Sequence, residues 1–444
     1  MGEMGNSCFP ILPLREAALQ HACPFHNISD DWARAYRYDV VMKNSIFSAS
    51  VHRVRRHSIQ RIAALFAAGL FLAAASQRAR ATGPVKIPMT AERWTTVAGT
   101  VNFVEHMGKQ SIELQEGDYQ KHISPGVALL NGSDFRNGTI EYDVAADKGM
   151  GATFAFHRAN KDNFEAFYLR PKPKCEEDPY CVQYAPQMHG VLLWDLFPQF
   201  QGPAPLRSGQ WNHVKLVISG KRMNIYVNGG KEPVLRIGRL EADTDGGGLM
   251  LAGPGFFADL TITPDAVEGL PGEPDRDATA SDDRYVRHWQ ISPFSKLAEG
   301  QAPAYSDLPG SSAAWVPLEA ERGGLVNASR LYGLPVARPD RAVVWLKTTI
   351  RSSRAQQKHV SLGWAREVFV FVNGQLVFAD KNLYDPPEAR KTPDGRLSIE
   401  NGSLMLPLKA GDNELAVAVV DDFFGWGIKM RFDDVKDLVQ DRHE

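Results

Sequence analysis

The chain has 444 residues, more than one hydrophobic core usually contains, since single cores stop growing at roughly 250–300 residues. Its 50 Lys and Arg residues nearly balance its 52 Asp and Glu residues, so it lacks the positive charge typical of nucleic-acid-binding proteins. With 38 Gly, 28 Pro and 43% hydrophobic residues, it has the composition of a turn-rich globular protein. We therefore expect two β-rich domains and no nucleic-acid partner.

The N-terminal part of the chain contains an apolar run, residues 62–75, directly behind a basic stretch. The run is shorter than the ~20 residues that a bilayer crossing needs. The small-residue sequence Ala79-Arg80-Ala81 follows it and offers a cleavage point after Ala81. Residues 1–81 are therefore predicted to be an N-terminal extension with a signal peptide, and a membrane anchor is the less favoured alternative. The mature protein is expected to be secreted or periplasmic, with no membrane span.

Residues 90–264 contain short segments that alternate apolar and polar side chains, separated by turn residues about every ten positions. The clearest predicted strands are 111–115, 138–144, 152–156, 164–169, 213–218 and 223–227. Asn228-Gly229 supplies the positive-φ residues of a tight hairpin. This pattern predicts an antiparallel β-sandwich.

Residues 265–285 are acidic, rich in Gly and Pro, and poor in apolar side chains, which is typical of a linker. A second alternating region follows at 286–434, with predicted strands at 342–350, 367–372, 403–407 and 414–420. Asn373-Gly374 again marks a hairpin. The predicted fold class is all-β: two antiparallel β-sandwich (jelly-roll) domains preceded by a signal peptide.

Two cysteines remain after the predicted cleavage, Cys175 and Cys181, in a loop-like stretch. An exported chain meets oxidising conditions, which favours a disulfide between them. A zinc site is the alternative, but it would need a second cysteine pair or histidines at suitable spacing. The disulfide is the preferred interpretation.

Several elements of the first half occur in a recognisable order: 135–143, 151–158 followed by 163–170, 210–216, the hairpin 225–229, and 255–260. In this order they resemble the concanavalin A-like lectin/glucanase superfamily, of the laminin G-like and 3-keto-disaccharide hydrolase kind. The resemblance implies two curved antiparallel sheets and a concave face that binds extended or cyclic sugars.

The second half is similar to a galactose-binding-like jelly roll, on residues 368–375, 404–415 and 421–428. Domains of this kind serve as accessory sugar modules in many secreted glycoside hydrolases. Within 421–428, Trp426 is interpreted as a core residue.

The sequence lacks the catalytic motif Glu-x-Asp-x-x-Glu, which retaining members of the glucanase superfamily carry on one strand. Glu141 and Asp143 share a strand face, which is interpreted as solvated. His157, Glu165 and Asp195 are candidate catalytic residues if they converge in a cleft.

A set of aromatic and polar side chains in the first half has the mixture that sugar sites require. An aromatic ring covers the apolar face of a pyranose, while Arg, Glu and Gln bond to its hydroxyls. The candidate ligand-binding residues are Arg158, Tyr168, Arg170, Gln183, Tyr184 and Trp194, with Tyr384 and Asp385 from the second half. The alternative is ordinary core aromatics with ion pairs such as Arg170 with Glu165.

Three hypotheses follow. The preferred one is an exported carbohydrate-binding protein with an oligo- or polysaccharide partner. The second is a glycoside hydrolase, or a 3-keto-glycoside hydrolase or lyase, and the third is a laminin G-like adhesion protein. No cofactor is expected, although loop carboxylates of this kind also suit a structural calcium ion.

Overall fold

The computed structural model describes residues 83–118, 121, 123–147, 151–336 and 338–440. The predicted signal peptide and N-terminal extension lie outside these residues. In the described ranges, no helix has both the length and the apolar composition that a membrane crossing requires.

The strands of the first half form two antiparallel sheets that pack face to face, here called the first sandwich. The strands are β1 (Val85–Lys86), β2 (Trp94–Ala98), β3 (Val101–His106), β4 (Lys109–Leu114), β5 (Val127–Leu130), β6 (Gly138–Ala145), β7 (Ala152–Arg158), β8 (Phe164–Leu169), β9 (Val182–Met188), β10 (Val191–Leu192), β11 (Gln201–Gly202), β12 (Trp211–Ser219), β13 (Arg222–Val227), β14 (Leu235–Ile237), β15 (Gly248–Ala252) and β16 (Gly255–Pro264).

One sheet of the first sandwich has the order β14-β13-β12-β6-β16-β4-β3, with β1 beside β16. The other has the order β10-β9-β8-β7-β15-β5-β2, with β11 beside β9. Alternate side chains of each strand face the partner sheet, as the period of a strand requires. Tyr142 from the first sheet and Phe154 from the second, for example, stack between the sheets with their ring centroids 4.8 Å apart.

The strands of the second half form two further antiparallel sheets, here called the second sandwich. The strands are β17 (His288–Ile291), β18 (Ser295–Leu297), β19 (Val316–Glu319), β20 (Leu325–Asn327), β21 (Arg341–Ser352), β22 (Gln356–Trp364), β23 (Arg366–Val372), β24 (Gln375–Asn382), β25 (Gly402–Leu408), β26 (Gly411–Asp421), β27 (Gly427–Phe432) and β28 (Leu438–Gln440).

The larger sheet of the second sandwich has the order β19-β17-β21-β26-β23-β24, with β18 and β28 beside β21. The smaller sheet has the order β20-β27-β22-β25. Trp289, Trp364 and Trp426 lie in the core, and Trp426 donates its indole N–H to the backbone oxygen of Gly333 at 2.9 Å. Trp426 is thus a core residue, as interpreted from the sequence.

The helices of the described residues are short. The α-helix α1 (Ser329–Tyr332) has one turn, and the 3₁₀ turns are Pro198–Phe200, Tyr305–Asp307, Arg322–Gly324 and Pro387–Ala389. The all-β fold class predicted from the sequence is therefore confirmed. The segment 265–285, which the structure describes throughout, contains no strand.

The local sequence signals are reproduced in detail. Asn228 and Gly229 have φ values of 52° and 71°, and Asn373 and Gly374 have values of 49° and 84°. The disulfide between Cys175 and Cys181 is present, with its Cα atoms 5.5 Å apart. Each predicted strand lies within a strand of the structure, except that 111–115 extends one residue beyond the end of β4.

A hydrophobic cluster joins the two sandwiches. It contains Tyr168, Trp194 and Leu196 from the first sandwich and Ala365, Leu397, Phe423 and Phe424 from the second. One outward sheet face of the first sandwich is therefore packed against the second sandwich. This junction positions the candidate site.

Candidate ligand-binding site

Strands β8 and β9 divide the predicted site residues between two faces of one sheet. Phe167 on β8 and Tyr184 on β9 point into the core between the sheets. Tyr168 and Ala185, their neighbours on the same strands, point outward to the junction with the second sandwich. This division follows from the alternation of side chains along a strand.

The outward-facing candidates are mostly buried. Tyr168 is 6% exposed, Trp194 is 7% exposed and Gln183 has no exposed surface. Their burial follows from the packing of the second sandwich on this face. Burial also raises the pKa of Tyr168 to about 12, because ionisation in an apolar environment is unfavourable.

These residues form a hydrogen-bonded chain. The Tyr168 hydroxyl donates to Gln183 Oε1 at 2.7 Å, and Arg170 Nη2 donates to the same oxygen at 3.0 Å. Gln183 Nε2 in turn donates to the backbone oxygen of Trp194 at 2.7 Å. Both polar atoms of the Gln183 amide are therefore engaged, and its oxygen holds Arg170 in position.

The second sandwich contributes aromatic and cationic side chains to the same place. The Tyr384 ring meets Trp194 edge to face, with the centroids 5.0 Å apart. The Arg396 guanidinium lies 4.9 Å from the centre of the Trp194 ring and 4.8 Å from that of Tyr180. The Arg390 guanidinium lies 4.3 Å from the centre of Tyr384. Such cation–π contacts favour a rigid arrangement of rings and guanidinium groups.

We call this group the junction cluster. It consists of Tyr168, Arg170, Tyr180, Gln183, Trp194, Tyr384, Arg390 and Arg396. Its members differ in access to solvent: Tyr168, Gln183, Trp194 and Arg396 are buried, whereas Arg170, Tyr180, Tyr384 and Arg390 are partly exposed. We call the partly exposed members the rim; each of them contacts a buried member or, for Arg390, the rim residue Tyr384.

The three candidate catalytic residues have separate partners. His157 Nε2 lies 2.7 Å from the backbone oxygen of Arg136. Glu165 accepts a hydrogen bond from the Tyr184 hydroxyl at 2.6 Å between the sheets, and burial raises the pKa of Glu165 to about 8. Asp195 is buried and forms an ion pair with Arg366 of the second sandwich.

The remaining candidates lie outside the junction cluster. Arg158 is the last residue of β7 and is partly exposed, and Asp385 is exposed and follows Tyr384. Tyr184 is buried in the first sandwich, where its hydroxyl also accepts a hydrogen bond from the backbone N–H of Glu241 at 2.6 Å. Within the described residues, no group of three His, Cys, Asp or Glu side chains is placed to hold a metal ion. Structural calcium stays a prediction.

Three members of the cluster were missed by sequence reasoning. Tyr180 lies inside the disulfide loop, and Arg390 and Arg396 lie in the loop 383–401 of the second sandwich. The basic residues that follow Tyr384 were the available signal, but nothing local indicates that they meet Trp194. Their position depends on how the two sandwiches pack.

The chain matches no protein-family model and no curated protein. Among solved structures, it is similar to the carbohydrate binding module CBM66 from Bacillus subtilis, with 18% identity, a TM-score of 0.26, and coverage of 39% of this chain and 92% of that one. A galectin-like fold protein of unknown function from Bacillus subtilis shows 13% identity and a TM-score of 0.30, covering 40% of this chain and 94% of that one.

A third similar structure is SCLam, a non-specific endo-β-1,3(4)-glucanase from family GH16, with 14% identity, a TM-score of 0.27, and coverage of 40% of this chain and 86% of that one. These overlays span about two fifths of this chain. At TM-scores this low they assign it neither a fold nor a ligand.

Proposed function

We propose that this chain is a carbohydrate-binding protein whose ligand occupies the rim of the junction cluster. The proposal rests on the convergence of predicted site residues from the two halves of the chain at the junction. Tyr168, Arg170, Gln183 and Trp194 of the first sandwich, all predicted from the sequence as ligand-binding residues, are linked by hydrogen bonds. Trp194 contacts Tyr384 of the second sandwich, which was predicted for the same reason. The apolar run at 62–75 leads us to propose further that the protein is exported.

The rim has the two kinds of group that a sugar requires. The partly exposed Tyr180 and Tyr384 rings offer apolar surface to the C–H face of a pyranose. Arg170 bonds to the backbone oxygen of Tyr180, and the Arg390 guanidinium lies over the Tyr384 ring. Both offer N–H donors to sugar hydroxyls. The buried Trp194 and Tyr168 support the rim from below and do not themselves face a ligand.

The hydrolase hypothesis receives no comparable support from the geometry. His157, Glu165 and Asp195 each bond to a different partner, in the positions described above. That hypothesis and the adhesion hypothesis stay predictions from the sequence.

The proposal is tested by screening the full-length chain against a glycan array and measuring affinities for the hits by calorimetry. Tyr384→Ala should weaken binding about tenfold, because it removes roughly 1.4 kcal/mol or more of ring contact at the rim.

Tyr226→Ala is the matched control. Tyr226 is also a partly exposed tyrosine with a cation over its ring, Lys215 Nζ at 4.8 Å from the ring centre. It lies on β13, in the sheet that is not packed against the second sandwich, and its replacement should leave affinity unchanged. Absence of any bound glycan, or equal affinities of Tyr384→Ala and the parent chain, would contradict the proposal.

A further inference from the structure

The junction cluster contains more guanidinium groups than carboxylates. Arg390 Nη1 donates to Asp394 Oδ1 at 2.9 Å, and Arg396 Nη1 lies 3.2 Å from Asp394 Oδ2. One carboxylate is therefore shared between two cations. The Arg390 guanidinium also lies over the Tyr384 ring, and that of Arg396 over the Trp194 ring. These neutral rings do not cancel the positive charge.

Arg170 adds a third positive charge. Its hydrogen bonds within the described part of the chain go to two neutral oxygens, the backbone oxygen of Tyr180 at 2.9 Å and Gln183 Oε1 at 3.0 Å. A nearby acid, Asp178, is paired with Lys172 at 2.6 Å. The arginines of the junction cluster thus outnumber the carboxylates that are hydrogen-bonded to them.

The guanidinium groups also retain unused donors. A guanidinium has five N–H groups in a planar fork. Arg170 and Arg390 each engage two of their nitrogens with oxygen acceptors of the described residues, and both side chains are partly exposed. Arg396 is 1% exposed, and its Nε has no hydrogen-bond partner there. Such a buried donor without a partner is unfavourable, and an acceptor from a ligand would satisfy it.

We propose that the preferred ligand is an acidic saccharide, in which the carboxylate of a uronic acid residue pairs with Arg170 and Arg390 while its ring lies on Tyr180 or Tyr384. This inference rests on the proposed function and names its ligand class. A planar carboxylate matches the fork of an arginine through two parallel hydrogen bonds, which a neutral hydroxyl does not provide. The partly exposed aromatic rings hold the rest of the sugar.

The test compares oligosaccharides that differ only in charge. Galacturonan, glucuronan and mannuronan oligosaccharides are each titrated into the full-length chain as the free acid and as the methyl ester, with a sulfated galactan oligosaccharide alongside. We expect at least one acid to bind about tenfold or more tightly than its ester, and the preference to shrink as salt is raised, because salt screens partly exposed charges.

Substitution of the rim arginines should remove the preference. Arg390→Gln, and Arg170→Gln as an independent variant, should bring acid and ester to similar affinities. Arg222→Gln is the matched control, since its side chain is 25% exposed against 26% for Arg390 and it is likewise paired with an Asp, Asp275, at 2.6 Å. It should retain the full preference for the acid.

The outcomes separate the two proposals. Equal affinity for acid and ester, binding of neutral glycans alone, or binding of the sulfated oligosaccharide alone would overturn the uronate assignment and leave carbohydrate binding standing. A preference for the acid that persists in both Arg390→Gln and Arg170→Gln would also overturn it. If neither these oligosaccharides nor the glycan array shows binding, the proposed function itself fails.

Discussion

Glu165 is a carboxylic acid in the interior of the first sandwich. It is fully buried, and the Tyr184 hydroxyl donates to its Oε2 at 2.6 Å. Burial outweighs that hydrogen bond and raises the pKa of Glu165 to about 8. Near pH 7 the side chain is therefore protonated in the folded protein, which suits a structural role between the sheets.

This pKa makes stability depend on pH with a definite sign. An exposed Glu in the unfolded chain has a pKa of about 4.3, so between that value and the folded pKa of about 8 the folded state keeps a proton that the unfolded state has released. Rising pH in this window therefore lowers the free energy of unfolding, by about 1.4 kcal/mol per pH unit at most.

Glu165→Gln should remove that dependence, because the amide resembles the neutral acid. We expect the variant to match the parent chain near pH 4.5 and to be more stable at pH 8, by an amount on the order of a few kcal/mol. Urea unfolding at both pH values measures the difference in stability between variant and parent chain, and Glu232→Gln, at an exposed position, is the control. A variant that is less stable than the parent chain at pH 8 would show that the carboxylate is needed.

At the scale of elements, the loop 383–401 between β24 and β25 carries the rim residues of the second sandwich. Asn401 holds it: its Oδ1 accepts from the backbone N–H of Trp364 at 3.0 Å and of Ser398 at 2.9 Å, and its Nδ2 donates to the backbone oxygens of Thr392 and Arg396 at 2.7 and 3.0 Å. One buried side chain thus replaces the backbone pairing that a strand would provide.

Asn401→Ala should loosen this loop, because it leaves several buried backbone groups without partners. We expect a loss of about 1–3 kcal/mol in the free energy of unfolding and faster amide exchange over residues 383–400. Glycan affinity should fall with it, since Tyr384 and Arg390 lose their fixed positions. Asn224→Ala, at a partly exposed position on β13, is the control, and unchanged exchange in the loop of Asn401→Ala would disprove this account.

At the scale of the whole molecule, one buried ion pair bridges the sandwiches. Arg366 contacts Asp195 through Nη2 and donates through Nε to the backbone oxygen of Phe423 at 2.7 Å. Asp195 also accepts from the backbone N–H of Gly425 at 3.2 Å. Burial raises the pKa of Asp195 and also that of the nearby Asp421, the latter to about 8. Asp195 is the closer carboxylate to Arg366, because Asp421 Oδ1 lies 3.9 Å from the Arg366 Nε.

Asp195→Ala should therefore lower the free energy of unfolding strongly, because it leaves the Arg366 guanidinium buried without its closest carboxylate. Breaking such a pair costs about 3–5 kcal/mol. Calorimetry should show a lower Tm, and a transition shared by the two sandwiches should separate into two. Arg236→Ala breaks an exposed pair with Glu232 and should cost less than about 1 kcal/mol. Equal Tm values for Asp195→Ala and the parent chain would refute the bridge.

Much of the fold could be predicted because its signals are local. Alternation along 138–144 and 164–169, the Asn-Gly pairs at 228 and 373, and the close spacing of Cys175 and Cys181 all act over a few residues. The residue types of the candidate site could also be predicted, since Tyr168, Arg170, Gln183 and Trp194 were chosen by residue type and strand face. Glu165 was separated from Tyr168 by the same alternation.

The sequence by itself thus determined the strands, their faces, the hairpins, the disulfide and the residue types that suit a sugar. Only the tertiary structure decided which of those residues are accessible and which meet. Trp194 is buried because the second sandwich packs on its sheet, and Asp195 pairs with Arg366 for the same reason. Arg390 and Arg396 join the junction cluster from the other half of the chain. Contacts between separately folded sheets depend on the shape and burial of whole surfaces, which no local pattern in the sequence encodes.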